Sequence, residues 1–158
     1  MARMNIAGAV QNAQTMLSEL EAWQDICHVQ TPAEARKRIY QGGTEDDGSE
    51  SLAPCIILRV DPLNTDWMPS TAHGLLTIEA RTELAVPAEH CETYEDQYKW
   101  TWQQVSALLA GINGSVNDGG QLMLQSLNMP LEPGPIDPDD NFGRVEWLFI
   151  LALVLEFI

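Results

Sequence analysis

Two pairs of neighbouring residues combine a thiol with an imidazole, the side chains suited to binding zinc or to acting as a nucleophile with its base. They are Cys27-His28 and His90-Cys91. Adjacent residues seldom both reach one tetrahedral ion, and the chain has no CxxC or HxxxH spacing. No third group marks either thiol as activated. We therefore expect buried or incidental residues here, and neither a metal site nor a Cys-His catalytic pair.

A second candidate is a set of oxygen ligands in the proline-rich stretch before the C-terminal segment. Asp137, Asp139 and Asn141 occupy positions one, three and five of a calcium-binding loop. The sharp turn of such a loop needs glycine where this chain has Phe142, and the bidentate glutamate falls on Leu148. An EF-hand is thereby excluded. The two remaining interpretations are a looser site for a divalent cation and a solvated acidic loop, of which we favour the second.

Charged residues also alternate along one predicted strand, where Glu79, Arg81 and Glu83 share a face. Paired carboxylates can serve acid–base catalysis, but alternating charge on an exposed strand face more commonly forms cross-strand ion pairs. The chain contains no glycine-rich phosphate-binding loop, nucleophile elbow or dinucleotide-binding motif. We therefore predict that the protein is not an enzyme and uses no cofactor.

The composition restricts the partners and the compartment. The 158 residues include 23 acidic and 8 basic side chains, and the resulting net charge of −15 opposes binding to nucleic acid. Three widely spaced cysteines suit reduced thiols in a cytoplasm. The N-terminus lacks the apolar core of a signal peptide, and the apolar run from Trp147 to Leu155 is shorter than the roughly 20 residues of a membrane helix. We expect a protein that stays in a cytoplasm or is built there into a particle, without membrane contact.

Hydrophobic periodicity predicts three helices. The first is amphipathic and extends from Ile6 to Trp23. The second begins at a Thr31 cap, carries three basic residues and ends near Gly42-Gly43. The third begins after Thr93 and follows an apolar stripe to a turn at Asn113-Gly114. That stripe consists of Tyr94, Tyr98, Trp102, Val105, Leu108, Leu109 and Ile112.

Strands are predicted at residues 54–61, 74–86, 121–129 and 144–158. Strand 74–86 alternates between apolar and charged residues, which indicates one buried and one wet face. It should pair antiparallel with 54–61, because the residues between them show no helix for a parallel crossover. The last strand is apolar on both sides and needs cover on both faces, or a partner subunit on one. The prediction is a single α+β domain over residues 1–158, with a four-stranded, mostly antiparallel sheet and helices packed on one face.

Contact residues are expected on two helices and two loops. The acidic, glycine-rich loop 42–51 is predicted to be flexible, and loop 130–143, with its prolines, to be irregular. Trp100 lies off the apolar stripe beside Lys99, which is typical either of a subunit contact or of the edge of a core. The basic run of the second helix is either a solvated face or a contact for an acidic partner. The candidate contact residues are Trp100, Lys99, Arg36, Lys37, Arg38, Asp46, Asp47, Asp139 and Asp140.

The order of these elements resembles that of the tail terminator, or tail completion, proteins of long-tailed bacteriophages and prophages. The resemblance rests on a helical start, the strands PCIILRVD and GLLTIEARTEL, a long tryptophan-containing helix, and the junction DDNFGRVEWLFI before the last strand. It implies a small α+β protein of the virion whose copies form a ring, typically a hexamer. Such a ring caps the tail tube and binds the head, so the implied partners are further copies, the tail tube and head-connector proteins. Loops 42–51 and 130–143 would then contact neighbouring subunits or the tube.

Three other functions remain open. A head–tail connector or a minor tail protein would share nearly all of these features and differ only in its location in the particle. An acidic, DNA-mimicking inhibitor would use the net charge of −15 directly, although the acidic residues form no duplex-like row. An enzyme of unrecognised type would need a substrate screen and a loss of activity on mutation of Asp139 or His90.

Overall fold

The computed structural model describes residues 5–43, 53–61, 74–128 and 145–157. A short 3-10 helix at Ala88–His90 precedes the longest helix. The other elements are, in chain order, α1 (Ile6–Ser18), α2 (Glu21–Cys27), α3 (Pro32–Arg36), β1 (Ile39–Gln41), β2 (Cys55–Val60), β3 (Gly74–Val86), α4 (Tyr94–Ile112), β4 (Ser115–Asn117), β5 (Gly120–Asn128) and β6 (Val145–Phe157).

The strands form a six-stranded sheet in the order β1-β2-β3-β6-β5-β4. β1 runs parallel to β2, and the other neighbouring pairs are antiparallel. The α+β class is as predicted, but the prediction of four strands was wrong, because β1 and β4 join the sheet and make it mixed. Each of these two strands has three residues, too few to show an alternating pattern in the sequence.

β3 and β6 form the centre of the sheet. Their pairing extends from Gly74 opposite Phe157 to Val86 opposite Val145. The predicted antiparallel pairing of the first two long strands is confirmed, since β2 pairs with β3 along its whole length. On β3 the predicted apolar positions are all buried: Leu76, Ile78, Ala80, Leu84 and Val86.

β6 alternates between full and partial burial. The fully buried positions belong to the core that α1 and α4 also enter: Val145, Trp147, Phe149, Leu151, Leu153 and Leu155. The intervening apolar residues Leu148, Ile150, Ala152 and Val154 are half-buried, and the core cluster of the described residues includes none of them. The described helices therefore cover one face of the sheet, as predicted. Burying a leucine of this kind contributes about 1.5–3 kcal/mol to stability.

The N-terminal helix is shorter than predicted. The chain leaves the helical conformation at Leu20, where φ is −71° and ψ is 124°, and α2 begins at the next residue. The last carbonyls of a helix lack partners within the helix. At the end of α1, Gln24 Nε2 supplies one by donating to the carbonyl of Ser18 at 3.0 Å. Trp23, on α2 after this break, points into the core, where its Nε1 donates to the carbonyl of Ala35 at 3.2 Å.

The second predicted helix also ends early. The predicted cap is confirmed, since the Glu34 amide donates to Thr31 Oγ1 at 3.3 Å. The helix stops at Arg36 instead of near Gly42-Gly43, and Ile39 pairs with Ile56 of β2. Pairing with β2 satisfies backbone groups that a longer helix would leave at the open edge of that strand.

β5 contains a β-bulge that keeps its leucines on one face. The register shifts between Leu124 and Ser126, so Gln125 is the extra residue. Leu124 and Leu127 are three positions apart and would face opposite sides of a regular strand. The bulge brings both to the side of the core, where they pack at its margin.

Several predictions fall outside the described residues. They concern nearly all of the acidic loop 42–51 and the whole of loop 130–143, including Asp137, Asp139 and Asn141. Within the described ranges, no helix is both long and apolar enough to cross a membrane.

Candidate interaction surface

The α4 helix carries two of the predicted contact residues, Lys99 and Trp100. Its predicted start is confirmed, because the Asp96 amide donates to Thr93 Oγ1 at 3.1 Å. Lys99 points to solvent and pairs with Glu95, with 2.8 Å between Nζ and Oε1. This contact raises the pKa of the Lys99 ammonium and lowers the pKa of the Glu95 carboxyl. Both side chains are exposed, so the pair adds little stability.

Of the two interpretations of Trp100, the structure agrees with the edge of the core and not with an outward-facing contact. The Trp100 side chain is buried, with 9% of its surface exposed, and its ring stacks on His90 with centroids 6.3 Å apart. The buried face of α4 comprises Gln97, Trp100, Thr101, Val105, Leu108 and Ile112. Lys99 thus points to solvent and Trp100 into the core, so Trp100 is not an exposed anchor for a partner.

An aromatic cluster occupies the flank of α4 that was predicted to be core. Tyr94 is 50% and Tyr98 46% exposed, and Trp102 is half-buried. The Tyr98 ring lies 6.0 Å from Trp147 and 6.2 Å from Trp102, centroid to centroid, and Tyr94 lies 6.3 Å from both Tyr98 and Trp147. We call Tyr94, Tyr98 and Trp102 the α4 aromatic surface. Trp147 of β6 fixes it from below.

This surface adjoins an open groove of about 470 Å³ along the same helix, lined by Tyr98, Lys99, Trp102, Gln103 and Ser106. The indole Nε1 of Trp102 has no access to solvent and no hydrogen-bond partner among the described residues. The spacing of four residues between Tyr94, Tyr98 and Trp102 was visible in the sequence as a single stripe. The sequence did not indicate that this stripe borders the core instead of filling it.

The three basic residues at the end of α3 and directly after it do not act as one patch. Arg36 is half-buried, and its Nη2 donates to Gln14 Oε1 at 3.1 Å. The same oxygen accepts from Gln41 Nε2 at 2.7 Å. Arg36 thus supports the contact between α1 and β1, whereas Lys37 and Arg38 are exposed. Asp46, Asp47, Asp139 and Asp140 are outside the described residues.

The charged face of β3 is exposed to solvent, as predicted. Its ion pair joins two residues of β3 and does not cross to a neighbouring strand. Arg81 Nε lies 3.3 Å from Glu83 Oε1, two residues away on β3. Glu83 also accepts from the Cys55 thiol, with 3.3 Å between Sγ and Oε2. The predicted cross-strand ion pairs are not seen among the described residues, where Arg59 Nε donates instead to the Gly42 carbonyl at 2.7 Å.

The cysteines are held as protonated thiols. Burial raises the pKa of Cys27 from its ordinary value of 9.0 to about 12, and burial with the neighbouring Glu83 raises the pKa of Cys55 further. Burial also raises the pKa of Cys91, whose Sγ lies 3.3 Å from the carbonyl of Pro87. A thiol is nucleophilic as its thiolate, so none of these cysteines is activated.

The histidine beside Cys91 is engaged by a carboxylate of α4. Nδ1 of His90 lies 3.1 Å from Asp96 Oδ1, at the start of that helix. In the described part of the chain, no three or more His, Cys, Asp and Glu side chains are grouped to hold a metal ion. The feature of the described residues that stands out is therefore the exposed aromatic surface of α4.

No protein-family model matches the chain, and no curated protein is significantly similar to it.

Proposed function

We propose that the protein is a structural component of a phage or prophage virion. In this proposal its copies assemble into a ring, as tail terminator proteins do, and the ring caps the tail tube and joins it to the head. The order of elements that resembles this family supports the proposal. The observation that carries it is the α4 aromatic surface, which leaves two tyrosines about half exposed above a buried tryptophan.

The α4 aromatic surface has the properties of a subunit contact. Tyr and Trp are enriched at the centres of protein interfaces, where one such side chain can contribute 2 kcal/mol or more. Trp147 is fully buried and contacts both tyrosines, so their rings are held in place before a partner arrives. Fixing the rings beforehand reduces the entropy lost on binding.

The net charge sets the conditions for such an assembly. At −15, copies of the chain repel one another at low ionic strength. The repulsion keeps free subunits apart until salt or a docking partner reduces it. We therefore expect assembly to strengthen as the salt concentration rises.

The test measures the mass of the protein by light scattering over a series of concentrations and salt conditions, followed by negative-stain imaging. Closed rings, of about six copies as in the resembling family, support the proposal. Tyr98→Glu should abolish them by placing a charge on the α4 aromatic surface. Gln30→Glu adds the same charge at an exposed site between α2 and α3 and should leave the rings intact. Rings that survive Tyr98→Glu would rule out this surface as the contact.

The position in the particle separates a terminator from the alternative virion roles. Antibody labelling of intact particles places a terminator at the head-proximal end of the tail tube. Label on the head vertex without a tail would identify a connector, and label elsewhere on the tail would identify a minor tail protein. Absence from purified particles would refute every virion role and would favour an acidic inhibitor.

A further inference from the structure

The edge of the sheet at β1 is closed against strand addition. The carbonyl of Arg38 and the amide of Gly42 bond to β2, so Ile39 and Gln41 direct their backbone groups outward. The Ile39 carbonyl accepts from Gln14 Nε2 at 2.9 Å, and the Gln41 carbonyl accepts from the Gly43 amide at 2.9 Å. A side chain of α1 and a tight turn thus occupy both outward carbonyls that an added strand would need as acceptors.

The opposite edge is only partly covered. The pairing of β4 with β5 extends from Gly120 to Leu122, whereas β5 continues to Asn128. Among the described residues, no strand lies beside residues 124–128 on the side away from β6. The Leu124 amide makes a long hydrogen bond to Asn113 Oδ1, at 3.4 Å. Apart from the Leu124 amide, no outer backbone group of this half of β5 is paired with a described residue.

This edge lies in the least charged part of the chain. Charged residues make up 20% of the sequence, yet Asp118 is the only one between Lys99 and Glu132. That stretch contains most of α4 and all of β4 and β5. Proteins commonly protect open strand edges with lysine, proline or a β-bulge. β5 contains no lysine or proline, and its bulge at Gln125 leaves Ser126 to Asn128 in register with β6.

Apolar side chains reach the surface on the same elements. Leu124 and Leu127 of β5 pack at the margin of the core and are half-buried, as are Trp102 and Leu109 of α4. On β4, Val116 is 68% exposed. An additional strand beside β5 would extend the core across Leu124 and Leu127.

We propose that a second copy of this chain occupies the β5 edge. Residues 124–128 of the two copies pair antiparallel across a two-fold axis near Ser126, so that the same edge is used twice. The net charge of −15 makes two copies repel one another over most of their surface, and they can approach closely only through an uncharged surface. A basic partner, by contrast, would be drawn to the acidic surfaces. The inference concerns the free protein and does not depend on the proposed virion role.

The test uses sedimentation equilibrium of the full chain at moderate salt. At protein concentrations below those at which rings form, we expect the wild type to reach the mass of two copies and Ser126→Lys to remain a monomer, because two lysines would meet at the axis. Gln30→Lys makes the same change of charge at an exposed site away from the sheet and should still dimerise. A wild type that stays monomeric, or a dimer that Ser126→Lys leaves intact, would overturn the inference.

Amide hydrogen exchange of the wild type gives a second readout that needs no variant. Exchange at residues 124–128 should slow as the protein concentration rises, while exchange in β6 stays constant. Slow exchange at the lowest concentration would mean that the chain covers its own edge, and would refute the pairing of two copies.

Discussion

Asn12 of α1 and Asn117 of β4 exchange two hydrogen bonds through their side-chain amides, although 105 positions separate them in the chain. Asn12 Nδ2 donates to Asn117 Oδ1 at 3.1 Å, and Asn117 Nδ2 donates to Asn12 Oδ1 at 2.7 Å. Asn117 Oδ1 also accepts from the amides of Gly119 and Gly120 at 2.9 and 3.1 Å. One side chain thus closes the β4–β5 turn and ties it to the first helix.

Replacing Asn117 with alanine should cost more stability than replacing Asn12. Asn117→Ala removes the pair and the turn contacts, an expected loss of about 2–3 kcal/mol, whereas Asn12→Ala removes only the pair, about 1 kcal/mol. Urea denaturation of both single variants and the double variant measures the coupling. Additive losses would show that the two amides do not interact in solution.

The different burial of two aromatic residues of α4 predicts unequal losses of stability when each is replaced with alanine. Trp100→Ala should reduce the free energy of unfolding by about 3–5 kcal/mol, because it empties a buried site. Tyr98→Ala should reduce it by about 1 kcal/mol, since half of the ring is already exposed and mainly ring contacts are lost. Thermal and urea denaturation of the two variants compare them directly. Equal losses would contradict the orientation of α4.

Gln14 is expected to hold the β1 edge in place. Gln14→Ala leaves the Ile39 carbonyl without its donor and removes the acceptor of Arg36 and Gln41, a loss of about 1–3 kcal/mol. Gln11→Ala, at an exposed position of the same helix, is the matched control and should have little effect. Hydrogen exchange should also accelerate at β1 in Gln14→Ala and remain unchanged at β5. An unchanged β1 would refute the role of Gln14.

The thiols predict a loss of stability in alkali. The pKa of Cys27 is about 12 in the folded chain, above its ordinary value of 9.0, because burial disfavours the thiolate. The unfolded chain therefore loses this proton first, so stability is unaffected below pH 9 and falls as the pH rises towards 12. Cys27→Ala should remove part of that slope. Thiol reagents should modify native Cys27 and Cys55 far more slowly than the unfolded chain at pH 8.

Local patterns were sufficient for much of the fold. The alternation of β3, the caps at Thr31 and Thr93, and the apolar run of β6 each depend on residues within one segment, and all were predicted correctly. Their success reflects the period of a strand and the unsatisfied amides at a helix start, which act over a few residues.

Local sequence patterns could not predict which residues of α4 form the candidate contact surface. Trp100 and Trp102 are both large and apolar, and each lies on a plausible stripe of α4. Packing against the sheet decides between them, since Trp147 occupies the space beneath Tyr94 and Tyr98 and leaves those rings at the margin. Helical periodicity constrains the spacing of a stripe, but the partner element determines which stripe is buried.

The sequence by itself determined the acidic charge, the α+β class, the long strands with their alternating faces, and the weakness of every catalytic motif. The tertiary structure alone decided the strands β1 and β4, the inward direction of Trp100, and the difference between the two sheet edges. At β1 the outward carbonyls are occupied, whereas no described strand lies beside residues 124–128 of β5 on the side away from β6. Each of these features depends on pairing or packing between residues far apart in the chain. Such contacts produce no periodic pattern that could be recognised in a short stretch of sequence.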